Sequence, residues 1–407
     1  MEDFNQFITE NKNTHMTHIE DKVLYGGVNG TRQAILALRS LRDMLAGKSS
    51  SKLSVKWDGA PAVFAGQDPS DGKFFVAKKG IFAKNPKVYK TEDEIDKDMS
   101  GDLASKMKDA LKYLPSLGIK GVVQGDFLFS KQELKKKKID GQNYIVFHPN
   151  TIAYAVPVEQ AKEVLNAKIG IVWHTTYTGN TFESMKASYG VDVSKFRKST
   201  TVWSQDAMLR DVSSATMNEK ETEEVTKHLS KCGVLFNKIS GTTLRQLEAN
   251  PDLAQLLEQY NNTFVRKGAV IGNTSMHVKG LLKWIKNKFQ KEMDKRKTDK
   301  GKAVQKKKLD DIMTFFSDKN KKSLVSMYEL QKSIILAKLI LINKLNRLKK
   351  IDTFVKTPNG YKVTGEEGYV AIDTIGGDAV KLVDRMEFSY NNFSPDILKG
   401  WDKPTRN

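Results

Sequence analysis

Lys56-Trp57-Asp58-Gly59 ends an apolar run containing Leu53 and Val55 and leads into a turn. A lysine amine is a nucleophile only as the free base, so a cationic neighbourhood or desolvation must lower its pKa toward neutrality. The glycine permits a tight turn through which backbone can approach a ligand. Taken alone, these residues suit an ordinary surface turn equally well. Other strand-like segments bring charged or polar residues to their ends. In chain order they are Lys78-Lys79-Gly80, Val122 to Phe127 with Gly125 and Asp126, and Ile171-Val172-Trp173-His174. Glu367-Gly368-Tyr369-Val370 and Val380 to Arg385, with Lys381, complete the series.

Other chemistries have weaker signals. The spacing His15-x-x-His18-x-x-Asp21 would place three ligands on one helical face, but it reads better as a solvated helix start than as a metal site. His174 suits a ligand pocket and a satisfied strand position equally. There is no G-x-x-x-x-G-K-[ST] loop and no Ser, Thr or Cys nucleophile motif.

Taken together and in order, these segments resemble the motifs of the covalent nucleotidyltransferases, the superfamily of ATP-dependent DNA and RNA ligases and GTP-dependent capping enzymes. The resemblance covers roughly residues 50–180 and 360–390. It implies an α+β, ligase-type fold of antiparallel sheets with flanking helices, interrupted by a basic helical insertion. It also implies that Lys56 attacks the α-phosphate of ATP, with GTP possible, to form a lysyl–nucleotide intermediate. On that resemblance Val55, Asp58, Gly59, Lys78, Lys79, Asp126, Trp173, Glu367, Lys381 and Arg385 bind the nucleotide. Asp126 and Glu367 would hold Mg²⁺ or Mn²⁺, Trp173 would stack on the base, and Lys381 would contact the α-phosphate. The acceptor would be an RNA or DNA 5′-phosphate end. Three positions depart from the family pattern: Ala60-Pro61 after the first motif, Asp126 where glutamate is commoner, and Val383 where a second lysine is usual, so that Arg385 would substitute. These departures fit a divergent enzyme or a family member that has lost activity; the alternatives are a GTP-using or protein-directed transferase and a nucleic-acid-binding protein with an inactive transferase fold. Only 26 residues follow Lys381, too few for the OB domain of DNA ligases and capping enzymes, so the chain is expected to lie nearer RNA-ligase-like members.

Several elements must position these residues. Thr31, Ala34, Leu38, Leu41 and Leu45 predict a helix capped at Thr31 and ending near Gly47. Residues 53–89 read as strands with a hairpin around Asp68-Pro69-Ser70-Asp71-Gly72, and Leu103, Met107 and Leu111 predict a helix. Strands are expected over 121–129, 144–147 and 169–174. Helices follow, one opened by Asn250-Pro251 and a long one over 323–350, before strands return over 361–364, 368–373 and 379–383. Four segments result: an N-terminal helical piece (1–48), the first core segment (49–203), the basic insertion (204–350) and the returning core (351–407).

Charge follows the same division. Residues 279–350 hold 22 Lys and Arg against 7 Asp and Glu, a net +15 out of the chain's +19. Lys283, Lys286, Lys288, Lys291, Lys295, Arg296 and Lys297, with Trp284 and Phe289 among them, suit a nucleic-acid backbone. A solvated helix face is the plainer reading. A second basic cluster spans Lys135 to Lys138. One cysteine, Cys232, excludes an intrachain disulfide and a cysteine-based zinc site and suits a reducing, cytoplasmic setting. The N-terminus lacks the character of a secretory signal, and the greasiest stretch, Ile334 to Leu345, is too short to span a membrane.

Overall fold

The structure, a computed structural model, describes residues 17–49, 52–209, 211–348, 351–372 and 379–401. His15, Lys349, Lys350 and the Asp373 end of one expected strand lie outside them. The first strands are β1 (Lys52–Lys56), β2 (Ala62–Gln67), β3 (Phe74–Ala77), β4 (Val122–Ser130) and β5 (Lys135–Ile139). Then come β6 (Gln142–Phe147), β7 (Ile152–Pro157), β8 (Ile169–Thr178), β9 (Lys186–Tyr189), β10 (Val202–Asp206) and β11 (Met208–Leu209). The chain returns to sheet in β12 (Asp352–Thr357), β13 (Gly360–Val363), β14 (Gly368–Ile372) and β15 (Ala379–Leu382).

The fold is α+β, with three sheets. The first has the order β11-β1-β14-β15, all antiparallel. The second runs β10-β8-β4-β2-β3, with β9 beside β8, and is antiparallel except for β10 against β8. The third is the antiparallel array β13-β12-β7-β6-β5. The first and third sheets each join strands from both ends of the chain, so residues before 60 and after 360 share one sheet. The expected hairpin is β2–β3, whose turn closes with the Gly72 amide donating to the Asp68 carbonyl at 2.8 Å. β1, expected with it, belongs to a different sheet. The basic run Lys135–Lys138 forms most of edge strand β5, where exposed lysines discourage pairing with another chain.

The main helices are α1 (Gly27–Leu45), α2 (Gly101–Tyr113), α3 (Glu219–Lys238), α4 (Gly241–Ala249) and α5 (Pro251–Val265). They are followed by α6 (Thr274–Asp294), α7 (Asp299–Phe315), α8 (Asp318–Leu345) and α9 (Arg385–Phe393). α1 begins before Thr31, whose hydroxyl donates back to the Gly27 carbonyl at 2.7 Å instead of capping the helix. Asn250 and Pro251 do open α5, although the Asn250 side chain makes no capping bond.

The N-terminal helix and the helical insertion are one body. Leu38 and Leu41 of α1 share a core with Leu229 of α3, Leu281 of α6 and Met327, Ile334 and Leu341 of α8. That core continues onto Leu53 of β1, Tyr369 of β14 and Leu382 of β15, so the helices back one face of the first sheet. A second core lies between α2 and the second sheet. A third, aromatic core lies between the second and third sheets, where Trp57 stacks on Tyr154 at 4.9 Å and Tyr154 stacks on Phe147 at 5.5 Å.

Candidate active site

Strand register explains how distant residues meet. Lys56, the last residue of β1, pairs with Gly368 at the start of β14, and the side chain of the preceding Glu367 accepts a hydrogen bond from Lys56 Nζ. Ser54 of β1, Val370 of β14 and Lys381 of β15 form one cross-strand row. Lys56 lies two residues beyond Ser54 and projects from the same sheet face as Lys381. The opposite face, with Leu53, Tyr369 and Leu382, is buried against the helices. A Cβ at position 368 would come within 2.6 Å of the Leu382 carbonyl oxygen, so glycine lets β14 approach β15 beside Glu367.

Electrostatics ties the three groups together. Burial pushes the Glu367 carboxyl above the usual range and Asp58 adds to this, while Lys56 and Lys381 pull it down. Burial lowers Lys381, and the cations Lys56 and Arg385 lower it further against the opposing carboxylates of Glu367 and Glu20. Lys381 Nζ also sits 5.5 Å from the centre of the Phe388 ring.

The turn after Lys56 is held rigidly. Asp58 is buried, and its carboxylate accepts from Asn150 Nδ2 at 2.6 Å and from the amides of Thr151 and Ile152 at 2.7 Å each. Its own amide donates to the Tyr154 hydroxyl at 2.7 Å. Asp58 therefore pins the turn to the loop before β7. A Cβ on Gly59 would lie 2.6 Å from Asp126 Cβ, so the glycine allows the turn to pack directly on the strand carrying Asp126. Asp126 Oδ2 faces His174 Nε2 at 3.6 Å.

The other expected residues are placed differently. Trp173 is fully buried; its Nε1 donates to Ser204 Oγ at 2.8 Å and its ring meets Phe196 edge-on at 5.7 Å. It is a core residue, and His174, on the opposite face of β8, is the one that turns toward Asp126. Arg385 donates to Asp21 Oδ2 at 2.8 Å and to Asn262, joining the N-terminal segment to α5 rather than substituting for the absent lysine at 383. Lys78 is paired with Asp98 at 3.5 Å, and Lys79 is exposed. Val55 points away from Lys56 and lines a shallow cleft with Trp57, Gln205, Asp206, Glu366 and Tyr369. A second cleft opens on Asp58, Glu367 and Gly368 between the loop at 151–152 and α9, lined there by Phe388, Asn391 and Asn392.

The segment around His18 and Asp21, expected as a solvated helix start, is instead packed inside, with Asp21 only 2% exposed. His18 forms a parallel β-bridge with Lys381, and burial lowers its pKa to about 3, with the cations Arg385 and Lys381 acting in the same direction. The loop residues Asn150 and Thr151, which hold Asp58, belong to none of the motifs named in the sequence. Among the described residues no group of three or more His, Cys, Asp or Glu is arranged to hold a metal ion.

On the basic hairpin, Lys283, Lys286 and Lys291 are exposed along α6, and Arg296 and Lys297 are exposed in the connection to α7. Lys288 is half-buried, donating to Gln259 at 2.9 Å and lying 5.4 Å from the Trp284 ring. Phe289 is buried. Two lysines of the basic segment are internal: Lys338 pairs with Glu20 at 2.7 Å and Lys344 with Glu221 at 2.7 Å.

A family model matches residues 13–396, a span that includes Lys56, Glu367, Lys381 and the whole helical body. The chain belongs to the family of unknown function DUF6267. No curated protein matches it, and no solved structure does. Among the described residues no helix is long and apolar enough to cross a membrane.

Proposed function

We propose that this chain is a covalent nucleotidyltransferase of the polynucleotide-ligase kind. The observation that carries the reading is the meeting of Lys56, Glu367 and Lys381 on β1, β14 and β15. Lys56 Nζ attacks the α-phosphorus of ATP; an N–P bond forms, the α–β phosphoanhydride breaks and pyrophosphate leaves. Glu367, hydrogen-bonded to Nζ and made more basic by burial, takes the amine's proton. Lys381 faces the negative charge that develops on the phosphoryl oxygens. The adenylyl group then passes to a 5′-phosphate, breaking the N–P bond and forming a 5′–5′ phosphoanhydride. A 3′-hydroxyl displaces AMP to seal the ends. The exposed lysines of α6 and its connection to α7 hold the acceptor's backbone.

The donor set suits Mg²⁺ or Mn²⁺ brought in on the nucleotide, which keeps most of its ligands as water and phosphate and needs only one or two carboxylates. Asp126, packed on the Gly59 turn, would supply a carboxylate, and Glu367 would add a second only when it does not carry the proton taken from Lys56. When bound, the ion offsets phosphate charge.

The test is incubation with α-labelled ATP or GTP and Mg²⁺, followed by a denaturing gel, with Lys56→Ala alongside. The expected result is acid-labile label on the wild-type chain and none on the variant. The pairing of Lys56 with a carboxylate favours a second reading, a nucleic-acid-binding protein in which that ion pair is structural. Absence of label from either nucleotide would select it.

A further inference from the structure

Four aromatic side chains stand well exposed among the described residues: Tyr189 (42%), Tyr390 (45%), Phe393 (69%) and Trp401 (63%). Three of them fall between positions 390 and 401. Tyr390 and Phe393, three apart on α9, are neighbours on the helix surface. After α9 the chain folds back along the same edge. The Leu398 amide donates to the Lys356 carbonyl at 2.9 Å and the Gly400 amide to the Asn150 carbonyl at 2.6 Å. Lys399 Nζ donates to the Asn391 carbonyl at 2.6 Å and to Thr151 Oγ1 at 3.1 Å. A Cβ on Gly400 would collide with the His148 carbonyl oxygen, so the strap is seated directly on the loop that holds Asp58. Trp401 thus emerges beside the end of α9.

The surroundings are basic. Lys362 Nζ lies 5.3 Å from the Tyr390 ring centre, and the half-buried Lys356 lies where the strap crosses β12. The carboxylates of Asp384 and Glu387 are turned inward, toward the first turn of α9 and toward Thr364 and Gly365. Asp396 is the exposed acid of the stretch. The same helix lines the cleft that opens on Glu367, through Phe388, Asn391 and Asn392. Flat aromatic faces interleaved with lysines match the stacking and backbone contacts of a single-stranded polynucleotide. A groove for a partner helix would instead need aliphatic side chains, and among the described residues after position 350 Val363, next to Lys362, is the exposed large aliphatic.

We infer that Tyr390, Phe393 and Trp401, with Lys356 and Lys362, form a stacking track for a single-stranded nucleic-acid segment beside the cleft that opens on Asp58 and Glu367. This rests on the reading that the acceptor is a polynucleotide, and deepens it by assigning a single-stranded portion to this face. The probes are fluorescein-labelled oligo(dT) and oligo(U) of about 12 nucleotides, within the usual span of such sites. Binding to the full chain is followed by anisotropy and by quenching of tryptophan fluorescence. Phe393→Ala/Trp401→Ala is expected to bind at least about 30-fold more weakly. Its melting temperature and its mass by light scattering should match wild type. Unchanged affinity would overturn the inference. So would a wild-type dimer that becomes monomeric in the variant, because the patch would then belong to a second copy of the chain. Loss of oligonucleotide binding in a chain that never labels with ATP would sink the transferase reading and leave this one standing.

Discussion

Trp173 and His174 are adjacent on β8 and serve opposite ends. Trp173 is sealed in the core beneath α2, its indole nitrogen bonded to Ser204, while His174 faces Asp126 from the other side of the strand. The alternation of strand side chains decides this, and a motif read as a string of residues does not carry it. Trp173→Ala should cost about 3–5 kcal/mol in urea denaturation, the range for an emptied aromatic core site. His174→Ala should stay within about 1 kcal/mol of wild type, and on the transferase reading it slows labelling of Lys56. A Trp173→Ala chain that unfolds at the wild-type midpoint would contradict the buried placement. Asp58 makes a similar point. It is part of the Lys-x-Asp-Gly sequence, yet its three donors make it the anchor of the turn.

At the scale of elements, most strands near the candidate site could be read from alternating apolar text, and the strands after position 360 fall where their patterns put them. Pairing was less legible. The Lys56–Glu367 bond spans 311 positions, and only the order of motifs, taken with the family resemblance, linked the two. The N-terminal helix looked like a separate piece because nothing local records its partners. The residues just before it are held by long-range pairs: Glu20 with Lys338, and Asp21 with Arg385. Glu20 and Lys338 are 2% and 1% exposed, so removing one partner leaves the other charge buried and uncompensated. Glu20→Ala should therefore lower stability by about 3–5 kcal/mol, whereas Glu20→Met/Lys338→Met should recover much of that loss. Equilibrium denaturation of the two variants checks it. A Glu20→Ala cost under about 1 kcal/mol would mean that the pair is solvated and the N-terminal segment is not docked as described.

For the whole molecule, net charge locates a surface more securely than it names a partner. The sequence count of +15 over residues 279–350 includes Lys338 and Lys344, which are buried and paired with Glu20 and Glu221, so fewer cations are free to meet a polyanion than the count suggests. Lys283, Lys286, Lys291, Arg296 and Lys297 remain exposed on α6 and its connection to α7, away from the buried side formed by Val278, Leu281, Ile285 and Phe289. If these cations track phosphates, each contact releases counterion, and the logarithm of affinity falls with the logarithm of salt by about 0.9 per contact on duplex DNA. Replacing all five with alanine should weaken duplex binding at low salt and flatten the slope by up to about 4.5 on that basis. Stability should change little, since none of the five is buried. The measurement is anisotropy of a labelled, 5′-phosphorylated duplex titrated across about 50–200 mM salt. An unchanged slope would remove the hairpin from the binding surface. The aromatic pair Phe393 and Trp401 supplies the internal contrast: its removal should lower single-strand affinity and leave the salt slope where it was, because stacking releases no counterions.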